Sequence, residues 1–164
     1  CPGSINLRPF KGLKPEAFES DLQINFLSLV KVIQSVLPNL LASEQASIVV
    51  FSSVAATMGM PFHTSVAASK GAIEGFAKAL AAEYAPKIRV NVIAPSLTDT
   101  PLADKFLNNE TKQEKSAERH PLKRFGKPED SAQMASFLLS DKSSWISGQI
   151  FHVDGGMSTL LING

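Results

Sequence analysis

Apolar residues recur at helical spacing in two long segments of the chain. The segment from Pro15 to Leu41 carries a wide apolar stripe, which predicts one long, mostly buried helix that ends near Pro38-Asn39. An alanine-rich segment predicts a second helix, which starts at an N-cap on Thr64 or Ser65 and runs to about Tyr84.

Three short apolar runs lack the alternation of polar and apolar residues that marks a half-exposed strand. They are rich in β-branched residues, which is typical of parallel strands covered on both faces. These runs are residues 47–52, 88–93 and 149–153. Before the last run, residues 99–127 predict mixed helix and loop, and Pro128 opens a helix that extends to about Leu139.

Strands that alternate with helices predict an α/β fold with a parallel sheet and right-handed crossovers. Three strands are few for such a sheet, and the chain contains no G-x-G-x-x-G phosphate loop. The pattern therefore predicts the C-terminal part only of a Rossmann-like doubly wound parallel sheet, with residues 1–164 forming a single partial domain.

Composition and charge limit the kinds of partner that this chain is expected to bind. Hydrophobic residues make up 44% of the chain, and 16 basic against 15 acidic residues leave a formal charge of 16 − 15 = +1. Because the basic residues are scattered, we expect no nucleic acid partner. Residues 46–62 are apolar but broken by polar residues, so no membrane association is expected. Cys1 is the one cysteine, which suits a reducing, cytoplasmic location.

Six short motifs occur in a fixed order along the chain, and together they resemble the short-chain dehydrogenase/reductase family. They are Asn25, Ser52-Ser53, residues 68–72 (Ala-Ser-Lys-Gly-Ala), residues 89–95 with Thr98 and Thr100, residues 126–130, and Ser147-Gly148-Gln149 before residues 153–156. The resemblance covers essentially the whole chain. It implies a Rossmann-type enzyme whose glycine-rich half would precede this segment.

The resemblance also implies catalytic residues. In that family a tyrosine stands four positions before a lysine, and a serine stands about thirteen before the tyrosine. Counting back from Lys70 gives Val66 and Ser53, so a valine occupies the tyrosine position. By resemblance, Ser53 polarises the substrate oxygen, Lys70 binds the nicotinamide ribose and would lower the tyrosine's pKa, and Asn25 helps to hold a water in the proton relay.

The cofactor side is implied in the same way. The segment after the second predicted strand, with Pro95, Ser96, Thr98 and Thr100, would lie against the nicotinamide of NAD or NADP. Ser96 stands where the family usually has glycine. Which of the two cofactors binds stays open, because the discriminating residue would lie in the preceding half. Near the start of the chain, Cys1-Pro2 precede a glycine where the family usually has Asn-Ala.

His63 is a candidate replacement for the missing tyrosine. It lies seven residues before Lys70, the spacing that the tyrosine has in the related enoyl-reductase branch. On a helix, seven residues return to within about 20° of the starting direction. An imidazole can also donate and accept a proton near neutral pH. The other interpretation of His63 is a loop histidine at the mouth of the cleft.

Two functions follow from these residues. The first is an NAD(P)-dependent oxidoreductase that transfers hydride between the cofactor and a carbonyl or alcohol. The second is a catalytically impaired relative that serves as a binding or oligomer-forming subunit, or an inactive fragment.

The resemblance implies a homodimer or homotetramer built through the long helices and the C-terminal strand, to which the apolar tail Met157 to Ile162 is suited. His120 and His152 lack metal-ligand spacing, so no metal site is predicted. Residues 102–120 are expected to form a lid over the substrate, but they contain no set of residues that identifies the substrate.

Overall fold

Three parallel strands form one sheet in the computed structural model, which describes residues 3–161. The strands are β1 (Ala46–Phe51), β2 (Ile88–Pro95) and β3 (Ile150–Val153), in the spatial order β1-β2-β3. Ala46 pairs with Ile88, and Val92 pairs with Ile150. The predicted α/β class with a parallel sheet is therefore confirmed. Within residues 3–161, no strand pairs with the outer edge of β1.

Six α-helices surround the sheet in the described range, with short 3-10 turns between some of them. They are α1 (Pro15–Leu22), α2 (Ser28–Ala42), α3 (Thr64–Tyr84), α4 (Asp104–Leu107), α5 (Glu110–Glu118) and α6 (Pro128–Leu139). A π-helical turn, Gln23–Leu27, joins α1 to α2 without a break. The predicted helices are present as α3 and α6, with a different N-cap for α3, and the mixed segment before α6 contains α4 and α5.

The first long helix differs from its prediction in two respects. It continues through Pro38 to Ala42, because a proline so near the end removes only one backbone hydrogen bond before the helix stops. It is also not mostly buried: only Asp21, Asn25 and Ile33 are buried, and Val32 is 59% exposed. A helix this apolar has more hydrophobic surface than the described sheet covers.

This helix is also the one described element with the length and composition to cross a membrane. Within Pro15–Ala42, an 18-residue window has a mean hydropathy of 1.4, and 11% of that window is buried. Residues 46–62, the most apolar stretch considered from the sequence, form β1 and the loop after it. One such helix is weak support for a membrane span, because helices of soluble proteins pass the same test.

The start of α3 was predicted incorrectly. His63 occupies the N-cap position, with φ −101° and ψ 10°, and its side chain makes no capping hydrogen bond. Thr64 is the first helical residue, and Ser65 is buried inside the first turn. Ser65 is unavailable as a cap because its hydroxyl donates to Asp21. Cys1, Pro2 and Ile162, to which the sequence analysis gave roles, lie outside the described residues.

The apolar core lies between the sheet and α3, with one residue contributed by α2. Its buried members are Ile33, Ala46, Ile48, Val50, Ile73, Ala77, Leu80, Ala81, Ile88, Val90 and Val92. Phe26 and Phe76 extend this core with an edge-to-face contact at 5.6 Å between ring centroids. The core packs β1 and β2 against the part of α3 from Ile73 to Ala81.

A buried polar cluster ties the first helix to α3. The carboxyl group of Asp21, 0% exposed, accepts hydrogen bonds from the side chains of Ser4, Asn6 and Ser65, the last at 2.6 Å. A buried carboxyl group is costly unless its oxygens are satisfied, and here three donors satisfy them. Asp21 therefore fixes the N-terminal segment and the first turn of α3 together.

We predict that Asp21→Ala lowers the free energy of unfolding by about 3 kcal/mol, because it removes the acceptor of three side-chain donors, of which Ser65 is buried. Chemical denaturation followed by circular dichroism measures this change. Glu19→Ala, at an exposed position on the same helix, is the matched control and should change stability by less than about 0.5 kcal/mol. Equal effects of the two substitutions would contradict the role of the cluster.

Candidate active site

The carboxyl ends of β1 and β2 open onto a cavity of about 360 Å³. Ligand sites in open α/β sheets lie at this edge, outside the carboxyl ends of the strands. One wall contains Ser53, His63 and Val66, which follow β1, together with Ser96, which follows β2. Four of the residues singled out in the sequence therefore line one cavity.

Ser53 and its neighbour Ser52 have different tasks. Ser52 is buried, and its hydroxyl donates to Glu74 Oε1 at 2.8 Å, which makes it part of the packing between β1 and α3. Ser53 lines the cavity and accepts a hydrogen bond from the Ala55 amide at 3.2 Å. Because the Ser53 hydroxyl accepts this bond, its own proton is free to be donated to an oxygen in the cavity.

The ring of His63 is held by the backbone carbonyl of Pro61. Nδ1 lies 2.7 Å from the Pro61 carbonyl oxygen. A carbonyl oxygen only accepts, so Nδ1 carries a proton and Nε2 is left to exchange one. The preceding residue, Phe62, has φ 69°, which is strained for a bulky side chain and is common near functional sites. Nε2 of the cavity-lining His63 has no hydrogen-bond partner within residues 3–161.

Val66 lies on the same wall, one turn into α3, and is 4% exposed. Its carbonyl oxygen accepts from the Ser69 hydroxyl at 3.0 Å, which is an ordinary helix contact. The cavity lining is thus apolar at this position, and valine has no proton to exchange. That Val66 occupies the tyrosine position of the family stays a prediction.

Lys70 is not among the residues that line the cavity. Its Nζ donates to the Phe51 carbonyl oxygen at 3.1 Å, at the end of β1. Burial lowers the pKa of the Lys70 ammonium, because the charged form loses hydration. One of the three ammonium N–H groups has this acceptor, so the remaining donors are available to a ligand.

Asn25 lies in the π-helical turn, and it too is not among the residues that line the cavity. Its Nδ2 donates to Ser69 Oγ at 3.0 Å and to Ser4 Oγ at 3.1 Å, and its Oδ1 accepts from the Ser4 amide at 2.9 Å. Both amide N–H groups therefore have protein acceptors. A π-turn at this point is the irregularity that turns Asn25 towards α3. Its role in a water relay stays a prediction.

The segment after β2 bends tightly. Thr98 Oγ1 donates to the Ser96 carbonyl at 3.1 Å, and Thr100 Oγ1 donates to the Thr98 carbonyl at 3.3 Å. Thr98 also bridges to Gly126, where an added Cβ would lie 3.0 Å from Thr98 Oγ1. Pro95 is the last residue of β2. These contacts fix the backbone of the segment beside the cavity, and its contact with a nicotinamide stays a prediction.

Sequence reasoning missed His120. This imidazole is 2% exposed, and it lines the cavity beside Ser96. Nδ1 lies 2.6 Å from the Ser116 carbonyl oxygen, and Nε2 lies 2.9 Å from Ser96 Oγ. The first contact makes Nδ1 a donor, so Nε2 of the neutral ring accepts from the serine hydroxyl. The signal that could have found the pair is the serine at the usual glycine position.

A second cavity, of about 320 Å³, adjoins the first at Ser96 and His120 and reaches the end of β3. Burial there opposes the charge of Asp154, but hydrogen bonds from Ser158 and Gly156 outweigh it and lower the pKa of Asp154. Gly156 has φ 86°, and an added Cβ would lie 2.7 Å from Leu160. Within residues 3–161, no group of three or more His, Cys, Asp or Glu side chains is arranged to hold a metal ion.

Known proteins resemble the chain in both sequence and fold. The family model described as enoyl-(acyl carrier protein) reductase matches residues 3–158. The 3-oxoacyl-(acyl-carrier-protein) reductase of Thermotoga maritima is 40% identical over 146 residues, which cover 88% of this chain and 58% of that protein. The chain thus spans a little over half the length of this curated relative.

Two solved structures are similar over nearly the whole chain. The ligand-free aldohexose dehydrogenase of Thermoplasma acidophilum has a TM-score of 0.92 at 27% identity, covering 100% of this chain and 68% of that one. A gluconate 5-dehydrogenase of Burkholderia cenocepacia, solved with NADP and tartrate, has a TM-score of 0.90 at 26% identity, covering 97% and 63%. With the matched family model, these similarities show that the chain belongs to the short-chain dehydrogenase/reductase family of oxidoreductases.

Proposed function

We propose that the protein containing this chain is an NAD(P)-dependent reductase or dehydrogenase that acts on a carbonyl or alcohol substrate. The observation that carries the proposal is the shared cavity wall of Ser53, His63 and Ser96 at the carboxyl edge of the sheet. Residues 1–164 would form part of one Rossmann-type domain, whose glycine-rich portion belongs to the same enzyme. The single cysteine suits a cytoplasmic location.

Ser53 and His63 would divide the work on the substrate oxygen. The free proton of the Ser53 hydroxyl is suited to polarise a carbonyl, which favours charge development on its oxygen. Nε2 of His63 is suited to give a proton to that oxygen during reduction, and to remove it during oxidation. Val66, between them in sequence, would then only shape the wall.

The hydrogen bonding of Lys70 is the observation that supports a nicotinamide cofactor. The half-buried Lys70 ammonium has one protein acceptor, the Phe51 carbonyl, and donors to spare. Lys70 would hold the ribose hydroxyls, and the Pro95 to Thr100 segment, including Ser96 and Thr98, would border the nicotinamide. When bound, the reduced cofactor supplies the hydride. NADP in a similar structure supports the class of cofactor, and the choice between NAD and NADP is left to measurement.

We predict that Lys70→Met weakens cofactor binding without lowering the free energy of unfolding. Burial lowers the folded-state pKa of Lys70 below its ordinary value, so its charge opposes folding at neutral pH. That cost persists below the lowered pKa and disappears as the pH rises towards the ordinary value. Removing the charge should therefore leave the free energy of unfolding at pH 7 unchanged or higher. Affinity for NAD(P)H should fall at least tenfold, the effect of about 1.4 kcal/mol.

Cofactor fluorescence titration and chemical denaturation measure the two quantities. Lys78→Met, at an exposed position on the same helix, is the matched control and should change neither. A Lys70→Met variant that loses stability but binds the cofactor normally would make Lys70 a structural residue.

The alternative function is a catalytically impaired subunit that binds or assembles without turnover. The observation that favours it is Val66, an apolar group at the position where the family has its proton donor. The two functions differ in whether the imidazole of His63 replaces the phenol of the family's tyrosine. Substitutions at His63 and Val66 therefore decide between them.

We predict that His63→Ala lowers kcat for NAD(P)H-dependent reduction of a carbonyl panel by about 10²-fold or more, because it removes the proton donor. The measurement is loss of NAD(P)H absorbance with the whole protein. Val66→Tyr should restore part of the activity in the His63→Ala background. Activity that appears only when the tyrosine is present would favour the impaired subunit.

His63→Gln is the control for shape, since it keeps a polar side chain but cannot relay a proton at neutral pH. It should be as inactive as His63→Ala. If both variants keep full activity while His120→Gln loses it, the proton comes from the Ser96–His120 pair instead, and the proposed role of His63 is wrong.

We also propose that the chain assembles as a homodimer or homotetramer through its first long helix. Val32 and Val36, one turn apart on α2, are 59% and 40% exposed, and exposed apolar surface of this extent marks an interface. Burying it against a second copy would remove this surface from water.

We predict that Val32→Glu/Val36→Glu converts the assembled protein to monomers, because it places two charges in the proposed interface. Sedimentation velocity measures the change. Lys31→Gln/Gln34→Glu changes the charge by the same amount at exposed positions of the same helix and should leave the assembly intact. Unchanged sedimentation of the valine variant would rule out this face as the interface.

A further inference from the structure

The cavity that Ser53 and Val66 line is also lined by a set of basic residues, which form its cationic wall. Helices α4 and α5 contribute Lys105, Lys112 and Lys115 to the lining, and Arg119 follows directly after α5. The lining includes no aspartate or glutamate among the described residues. For a chain of formal charge +1, this is a strong local concentration of one sign.

The charges on α5 are sorted by face. Lys112, Lys115 and Arg119 are three and four residues apart, which places them on one face of a helix. The acidic residues Glu110, Glu114 and Glu118 recur every four residues on the other side, and they do not line the cavity. The helix therefore turns its basic face towards the cavity, where these side chains remain exposed, and its acidic face away from the cavity lining.

No carboxylate in the described part of the chain forms an ion pair with the basic residues of the cavity lining. Within residues 3–161 the one ion pair joins Arg124 to Asp130. Lys105 Nζ donates to the Ile5 carbonyl, and Lys112 Nζ donates to the Lys105 carbonyl and Asn108 Oδ1, all at 2.8 Å. These partners are neutral, so the positive charges of Lys105 and Lys112 stay uncompensated.

Lys115 and Arg119 have no hydrogen-bond acceptor within that same range, and both are exposed at the cavity. They are one turn apart and stand on either side of Ser116, whose carbonyl orients His120. Two free cations so placed are suited to hold the two oxygens of a carboxylate, or the oxygens of a phosphate, at the edge of the cavity.

The rest of the lining is mainly apolar. Leu7, Met60, Leu97, Phe106 and Met157 line the same cavity as Ser53 and the cationic wall. A ligand that fills the cavity would thus contact a hydroxyl donor, apolar side chains and a pair of cations. These three kinds of surface indicate three kinds of group in the ligand.

We infer that the substrate carries an anionic group, a carboxylate or a phosphate, joined by an apolar segment to the reacting carbonyl or alcohol. The carbonyl end lies at Ser53 and the anion is bound by Lys115 and Arg119. This inference rests on the proposed function for the identity of the reacting group. The anion subsite itself depends only on the cationic wall.

The test compares charged substrates with neutral analogues of the same shape. Methyl-ketone acids of four to eight carbons are paired with their methyl esters, and hydroxyacetone phosphate is paired with hydroxyacetone. The variant is Lys115→Gln/Arg119→Gln. Lys87→Gln/Lys142→Gln removes the same charge at exposed positions away from the cavity lining and is the matched control.

For the unmodified protein we expect kcat/KM to be at least tenfold higher for an anionic substrate than for its neutral partner, the range of a charge-assisted hydrogen bond. The Lys115→Gln/Arg119→Gln variant should lose this preference and keep its activity on the neutral partner. The control variant should keep both. The arm that shows the preference, acid or phosphate, identifies which anion binds.

A second measurement does not require turnover. Titration of the same probes, followed by NMR chemical shifts of the protein, should show tighter binding of the anionic member of a pair, with loss of the difference in the Lys115→Gln/Arg119→Gln variant. If binding shows the preference but no carbonyl is reduced, the proposed function fails and the anion subsite stands. If no anionic probe binds better than its neutral partner in either measurement, the inference is overturned.

Discussion

The architecture of the site depends on a buried set of hydrogen bonds between the first long helix and α3. Asp21 accepts from Ser65, and Asn25 donates to Ser69, so two residues on one helix meet two on the other at the same spacing of four. Buried polar groups of this kind are satisfied in one relative position of the helices, whereas apolar contacts tolerate sliding. The first turns of α3, which carry the cavity wall, are thereby fixed against the carboxyl end of β1.

The same constraint fixes Val66 in the cavity lining. Val66 lies on the turn of α3 between Ser65 and Ser69, and both serines are held by hydrogen bonds to the first long helix. Two imidazoles, His63 and His120, reach the same cavity from different segments, each with Nδ1 held by a backbone carbonyl. Under the proposed function, these imidazoles are the groups that would exchange a proton beside the apolar Val66.

Helix α5 combines support and recognition in one short element. Ser116 is buried and orients His120 through its carbonyl, while Lys115 and Arg119 on either side stay exposed to the cavity. Sorting acidic and basic residues to opposite faces lets the helix be nearly neutral as a whole and strongly positive towards the cavity. Because the other walls carry hydroxyl and apolar groups, each wall contributes a different requirement for the ligand.

The sequence by itself determined the alternation of strands and helices, because this follows from local periodicity. The register of Ser53, Val66 and Lys70 as catalytic positions came from the family resemblance and stays a prediction. The sequence did not determine how much of the first long helix is covered, since burial depends on which surfaces meet it. Nor did it reveal the pair of Ser96 and His120, which are 24 residues apart and meet only where the segments after β2 and α5 come together. The basic face was present as spacing in α5, but only the tertiary structure decided that this face borders the cavity, because that depends on which segments surround it.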